Sequence, residues 1–300
     1  MRRLAVVSLA VVAWGCAPQS EPRGPAIDRV GYLVLIPDGD DVRTEWVGPD
    51  GALRGRADGA FLGIADRAYR FESRSERATV AGCGEPDEEA GVGHEGPANN
   101  VASALLVGLG DASSLVLVGP RDAQQIEAFG RHHESHRVLA ALGDRIVVLT
   151  RRVHGACGGP DEVEVNVRAF DLGSGRELSP SETEREAGAR RAPLALASLQ
   201  ATHPACVPVG TRLTYAMTLP AFGPLGLGAQ HRFEVAPGSC GSAHPTAVLE
   251  GPVSELPASY EERDVPSPVL AHAGSAGAIG VTWLDDQRAP MSDAFALASE

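Results

Sequence analysis

The chain has 300 residues, 43% of them hydrophobic, and a formal net charge of −13 at pH 7, which fits a folded globular body and disfavours nucleic acid, because an acidic surface repels phosphates. All 26 basic residues are arginine. Schiff-base catalysis, the phosphate loop with its lysine and the Ser-x-x-Lys acyl-enzyme site are therefore excluded.

Arg2 and Arg3 give a basic start, Leu4 to Val12 an apolar run, and Ala13-Trp-Gly-Cys16 a small-residue cleavage site. The run is much shorter than the ~20 apolar residues of a spanning helix. This arrangement resembles the signal of bacterial lipoproteins, whose cysteine receives a diacylglyceryl group and becomes the N-terminus after cleavage. The resemblance implies removal of residues 1–15, lipidation of Cys16, and membrane contact through lipid alone. It places the mature chain in the bacterial cell envelope, facing the periplasm or on the outer membrane. Residues 16–28, with Pro18, Pro22 and Pro25, read as a flexible tether.

From Arg29 the sequence turns to short apolar runs separated by Gly, Pro and Asp. Tyr32–Ile36, Phe61–Ile64, Ser114–Val118, Val138–Leu142, Ile146–Leu149 and Val163–Phe170 are the predicted strands, with turns at Pro-Asp-Gly 37–39 and 49–51 and at Gly-Asp 143–144. The fold class expected is mainly β, an antiparallel body. Residues 29–178 form one β-rich domain carrying a duplicated unit, 179–193 an exposed linker, and 194–300 a second β-rich part that can complete the same domain. Helical signal is confined to a short stretch, Arg121–Phe129, and to Glu182–Arg191, which lacks apolar anchors and reads as a loop. Gly251–Pro268, with four prolines, reads as a long connection.

The duplication is carried by Cys83-Gly-Glu-Pro-Asp-Glu88 and Cys157-Gly-Gly-Pro-Asp-Glu162, which differ at one position. Phe61-Leu-Gly-Ile-Ala-Asp-Arg67 precedes the first and Leu139-Ala-Ala-Leu-Gly-Asp-Arg145 the second. Within residues 138–178, Gly143-Asp-Arg-Ile-Val-Val148 and Val167–Leu178 resemble the strand-turn-strand of quinoprotein-like or WD-like propeller blades. The same hairpin is similar to a periplasmic α+β domain associated with anti-sigma factors and polysaccharide deacetylases. A propeller-like or sandwich body, or an α+β periplasmic domain, is what these resemblances imply.

Four cysteines follow Cys16, an even number that reads as two disulfides in an exported chain. Strands at Arg212–Leu219 and Gln230–Val235, joined by a Pro220–Gly228 loop, bring Cys206 and Cys240 to one end of a hairpin, so that pair is expected. Cys83 with Cys157 follows by exclusion.

Arg131-His-His-Glu-Ser-His-Arg137 is the densest set of potential metal ligands. In a helix, His132 and His136 would share one face and could bind zinc with a third ligand such as His94 or His154. In a strand, His132, Glu134 and His136 line one face, and the expected face is solvated. The acidic turns at 38–41, 87–89 and 161–162 lack the regular ligand ladder of a calcium loop. Gly-x-Ser-x-Gly is missing, and Gly108-Leu-Gly110 reads as a turn between strands. The expectation is a binding or structural module at the envelope, with an envelope protein or glycan as partner, no cofactor and no catalytic residue. A metal-dependent hydrolase using His132 and His136, and a sensor-like module binding protein or glycan, are the alternatives.

Overall fold

A computed structural model describes residues 31–77, 99–110, 113–121, 131–155, 161–235, 244–257, 265–285 and 294–297. The protein is mainly β, with several antiparallel sheets and no closed barrel among the described residues. Strands β1 (Gly31–Asp38), β2 (Asp41–Val47) and β3 (Leu53–Asp58) are followed by β4 (Phe61–Ile64), β5 (Arg67–Arg77), β6 (Asn100–Gly108) and β7 (Ser114–Val118). Next come β8 (Arg131–Leu142), β9 (Arg145–Gly155), β10 (Glu162–Asp171), β11 (Glu177–Leu178) and helix α1 (Glu182–Thr202). Strands β12 (Leu213–Gly223), β13 (Gly226–Val235) and β14 (Thr246–Gly251) precede helix α2 (Ser267–Ala276), β15 (Gly280–Leu284) and β16 (Ala296–Leu297).

The largest sheet has nine strands in the order β11-β10-β9-β8-β15-β1-β2-β3-β16. It is two antiparallel meanders joined by β15, which runs antiparallel to β1 and parallel to β8. Strands β8 to β11, which hold the described strand residues of 138–178, thus belong to this larger sheet, as do β15 and β16. Strands β4 to β7 and β12 to β14 form two smaller sheets.

Burial on both faces explains the unbroken apolar run of β1. Tyr32, Val34 and Ile36 pack with Val269 and Ala273 of α2, whereas Leu35 joins Leu62, Ala104 and Leu106 of the four-stranded sheet. On β9, Ile146 and Val148 face the same four-stranded sheet, and Val147 meets Met217 and Leu219 of β12. The central sheet is therefore covered on both faces.

The stretches that precede the two cysteine motifs, Phe61–Arg67 and Leu139–Arg145, both fold as hairpins with two-residue loops, while most of the motifs themselves lies outside the described residues. Ile64 pairs with Arg67 across Ala65-Asp66, and Leu142 with Arg145 across Gly143-Asp144. The first loop residue has φ 52° at Ala65 and 57° at Gly143, the position where type II′ hairpins favour glycine. Each returning strand, β5 or β9, is 11 residues long and begins with arginine.

The structure corrects three expectations. The stretch expected as an exposed linker, 179–193, enters α1, with Glu184, Ala187 and Gly188 buried. Its start is a capping box: Ser181 Oγ accepts from Glu184 N at 3.2 Å and Glu184 Oε2 from Ser181 N at 2.8 Å. Its apolar anchors, Ala195 and Leu199, lie beyond Arg191, where they pack on Phe233, Val235 and Ala247. The expected Pro220–Gly228 loop is instead a two-residue turn, Pro224-Leu225, with Gly223 paired to Gly226. Residues 251–268 are only partly a connection, since they hold a 3₁₀ turn at Val253–Glu255 and the first residues of α2. The signal, the tether, most of the 121–129 stretch, His94, Cys16, Cys83, Cys157 and Cys240 lie outside the described residues.

Candidate functional site

The His132–His136 segment is strand β8, and alternation puts His132, Glu134 and His136 on one face, as strand geometry requires. That face is buried, contrary to the solvated reading: His132 is 2% exposed, Glu134 1% and His136 5%. The reason is the neighbouring sheet. The first half of β8 would present unpaired N–H groups, and side chains of the four-stranded sheet region occupy that edge. His132 N donates to Asn99 Oδ1 at 2.8 Å, Glu134 N to Asn100 Oδ1 at 3.0 Å and His136 N to Ser73 Oγ at 3.0 Å.

Across the sheet the polar residues form rows. Glu134 is opposite Arg152 of β9, which is opposite Glu164 of β10. Arg152 donates from Nε to Glu134 Oε1 at 2.7 Å and from Nη1 to Glu164 Oε1 at 3.2 Å, and Arg121 approaches Glu164 at 3.5 Å. His132 is opposite His154, and its Nε2 lies 4.0 Å from Glu134 Oε2. His136 uses both ring nitrogens: Nε2 is 3.1 Å from the carbonyl of Ala102 and Nδ1 is 2.9 Å from Thr150 Oγ1. A carbonyl only accepts, so Nε2 carries the proton and Nδ1 accepts from the threonine hydroxyl. Neither nitrogen then offers a lone pair to a metal. Burial holds both His132 and His136 below the ordinary imidazole pKa, with Glu134 opposing the shift in each. Among the described residues no three His, Cys, Asp or Glu side chains are placed to hold a metal ion.

A second buried network is assembled from distant parts of the chain. Thr218 of β12 is paired opposite His231 of β13, and Thr218 Oγ1 is 3.2 Å from His231 Nδ1. His231 Nε2 is 2.6 Å from Glu255 Oε2 in the 3₁₀ turn, and Arg191 of α1 donates from Nε to the same oxygen at 2.9 Å. Tyr215 hydrogen-bonds the Thr218 hydroxyl. Burial depresses the His231 pKa despite Glu255, and it raises Tyr215 to about 12. Burial also acts to raise Glu255, yet its bonds from His231 and Arg191 outweigh this and hold it low. A side chain at Gly251 would run into this network, its Cβ 2.8 Å from His231 Nε2 and 3.1 Å from Arg191 Nη2. Hydroxyl, imidazole and carboxylate are the residue types of a nucleophilic triad. Thr218 and His231 are fully buried, so the network joins α1, the hairpin and the 3₁₀ turn instead of facing a substrate.

Sequence reading missed this second network because its members come from four elements with no short motif between them. Alternation along β12 and β13 was the available signal, and it identifies faces without naming partners.

A groove of about 400 Å³ opens at the far end of the same hairpin, between its tip and the segment from Glu250 to Val253. Phe222, Leu227 and Val253 form apolar lining, and Leu225 at the turn is fully exposed. Near the other end of the hairpin lies Cys206, the single cysteine among the described residues.

Comparison with protein-family models, curated proteins and solved structures finds no match to this chain. Among the described residues, no helix is long and apolar enough to cross a membrane.

Proposed function

We propose that this protein is exported, carries lipid on Cys16, and acts in the bacterial envelope as a binding or structural module whose partner is an envelope protein or glycan. The observation that carries the non-catalytic part is the engagement of His136 by Ala102 and Thr150. That geometry leaves the metal-dependent hydrolase alternative without its second ligand. The lipid part rests on the resemblance of residues 1–16 to a lipoprotein signal.

Two measurements test these parts separately. Intact mass of the membrane-bound protein should show an N-terminus at Cys16 with a diacylglyceryl increment, and Cys16→Ala should release the chain from membranes. Cleavage elsewhere without lipid refutes the anchor. Stoichiometric zinc after mild purification, lost in His132→Ala/His136→Ala, would refute the non-catalytic reading and restore the hydrolase. The Cys206–Cys240 pairing belongs to the same proposal, and non-reducing peptide mapping decides it against Cys83 or Cys157.

A further inference from the structure

We propose that the tip of the β12–β13 hairpin docks on the lipid surface that holds the acylated N-terminus, so that the body sits on the membrane in one orientation. This deepens the lipid-anchored reading and rests on it. The first support is the tip itself. Leu225 is fully exposed at a two-residue turn, beside Pro224 and an apolar groove floored by Phe222, Leu227 and Val253. Among the described residues lining that groove, Glu250 is the one ionisable side chain, so nothing there recruits an anionic headgroup and the attraction is apolar.

The second support is position. Helix α2 links the chain's entry into β1 to the hairpin. Pro268 in its first turn lies against Gly51, whose hypothetical Cβ would be 2.9 Å from the Pro268 carbonyl oxygen. Gly51 sits in the β2–β3 turn, next to the Tyr32–Val47 pair that opens β1. Gly274 of the same helix packs so closely on Gly223 that a Cβ would collide with its carbonyl oxygen. Six residues of helix separate those contacts, about 9 Å at 1.5 Å per residue. The segment from Cys16 to Gly31 spans at most about 50 Å even when fully extended. The lipid and the hairpin tip are therefore within easy reach of one membrane surface. Covalent anchoring supplies a roughly millimolar effective concentration, so a weak apolar contact is enough to set orientation.

The test places a reporter at the tip. Full-length acylated protein carrying Leu225→Trp is reconstituted in phosphatidylcholine vesicles with brominated acyl chains, which quench indole on contact. Wild type supplies the background, because Trp46 and Trp283 are buried. Val209→Trp is the control: Val209 is exposed near the start of β12, and that strand is about 35 Å long. We expect the fluorescence added by Leu225→Trp to fall by roughly half or more, that added by Val209→Trp to be unchanged, and neither result to depend on salt. A chain that floats with the vesicles but shows no quenching from Leu225→Trp overturns the docking and leaves the anchor standing. Equal quenching at both positions, or quenching abolished by salt, also overturns it. A chain that does not float removes the anchor and the docking together.

Discussion

The hairpins at Ile64–Arg67 and Leu142–Arg145 share a two-residue turn and a following arginine, yet the arginines live in opposite environments. Arg67 has a 58% exposed side chain beside Asp66, while the Arg145 side chain is 2% exposed and donates from Nη2 to buried Glu184 of α1 at 3.1 Å. The second half of β5 is exposed, whereas β9 is buried over its first six residues. Local sequence thus specifies the hairpin in both copies. What the arginine does is decided by the layer that packs over it, in one copy solvent and in the other a helix. An ion pair in water contributes little, but a buried one cannot lose a partner cheaply.

The largest expected effect breaks this contrast directly. Arg145→Ala should cost about 3–5 kcal/mol, because Glu184 is left charged in the interior, and Arg67→Ala should stay within about 0.5 kcal/mol. Denaturant melts of both variants check it, and equal losses would refute the environmental account. Next is the loop. Gly143→Ala should cost about 2–4 kcal/mol, since its φ is left-handed and the new Cβ would lie 2.6 Å from Trp283 Cη2. Ala65→Gly in the other copy should gain up to about 1 kcal/mol, as relief of the left-handed strain exceeds the extra unfolded-state entropy. Thermal melting of the pair measures both signs.

Acid provides a gentler probe. His132, His136 and His231 have folded pKa values below the unfolded ~6.5, so the unfolded chain binds more protons as pH falls. Their contribution is complete above about pH 6.5 and is lost as pH drops through the folded values. Glu234 and Glu255 are also depressed, so their contribution is complete above about pH 4.5 and lost further down. Melting temperature should therefore be level near neutrality and decline below about pH 6.5. A His136→Gln variant should flatten the first part of that decline, and an unchanged profile would show that this histidine is solvated after all.

Much of the fold was legible because strands with two-sided or alternating burial announce themselves. Phe61–Ile64 and Ser114–Val118 coincide with β4 and β7. Helix α1 was missed because the buried residues of its first half are Glu184, Ala187 and Gly188, none of them a large apolar side chain, while its apolar anchors Ala195 and Leu199 lie beyond the stretch Glu182–Arg191. Alternation correctly put His132, Glu134 and His136 on one face but could not say which side of the sheet another sheet would cover. The partners that cover it, Ser73, Asn99 and Ala102, are remote in sequence.

Strand β15 sets the order in which this protein can be made. It lies between the two meanders of the central sheet, and Thr282 Oγ1 on it accepts from Gly63 N at 2.8 Å. The early meander can pair within itself, yet β1 has no neighbour on its inner side until residues 280–284 arrive. Pairings of such long sequence separation form late and slowly, because closing the loop costs entropy before contacts reward it. Joining of the two meanders therefore waits until residues 280–284 have been made. That delay leaves β1's inner edge exposed to misassociation until β15 is delivered, and on the exported reading proposed above it would also keep the chain threadable during translocation.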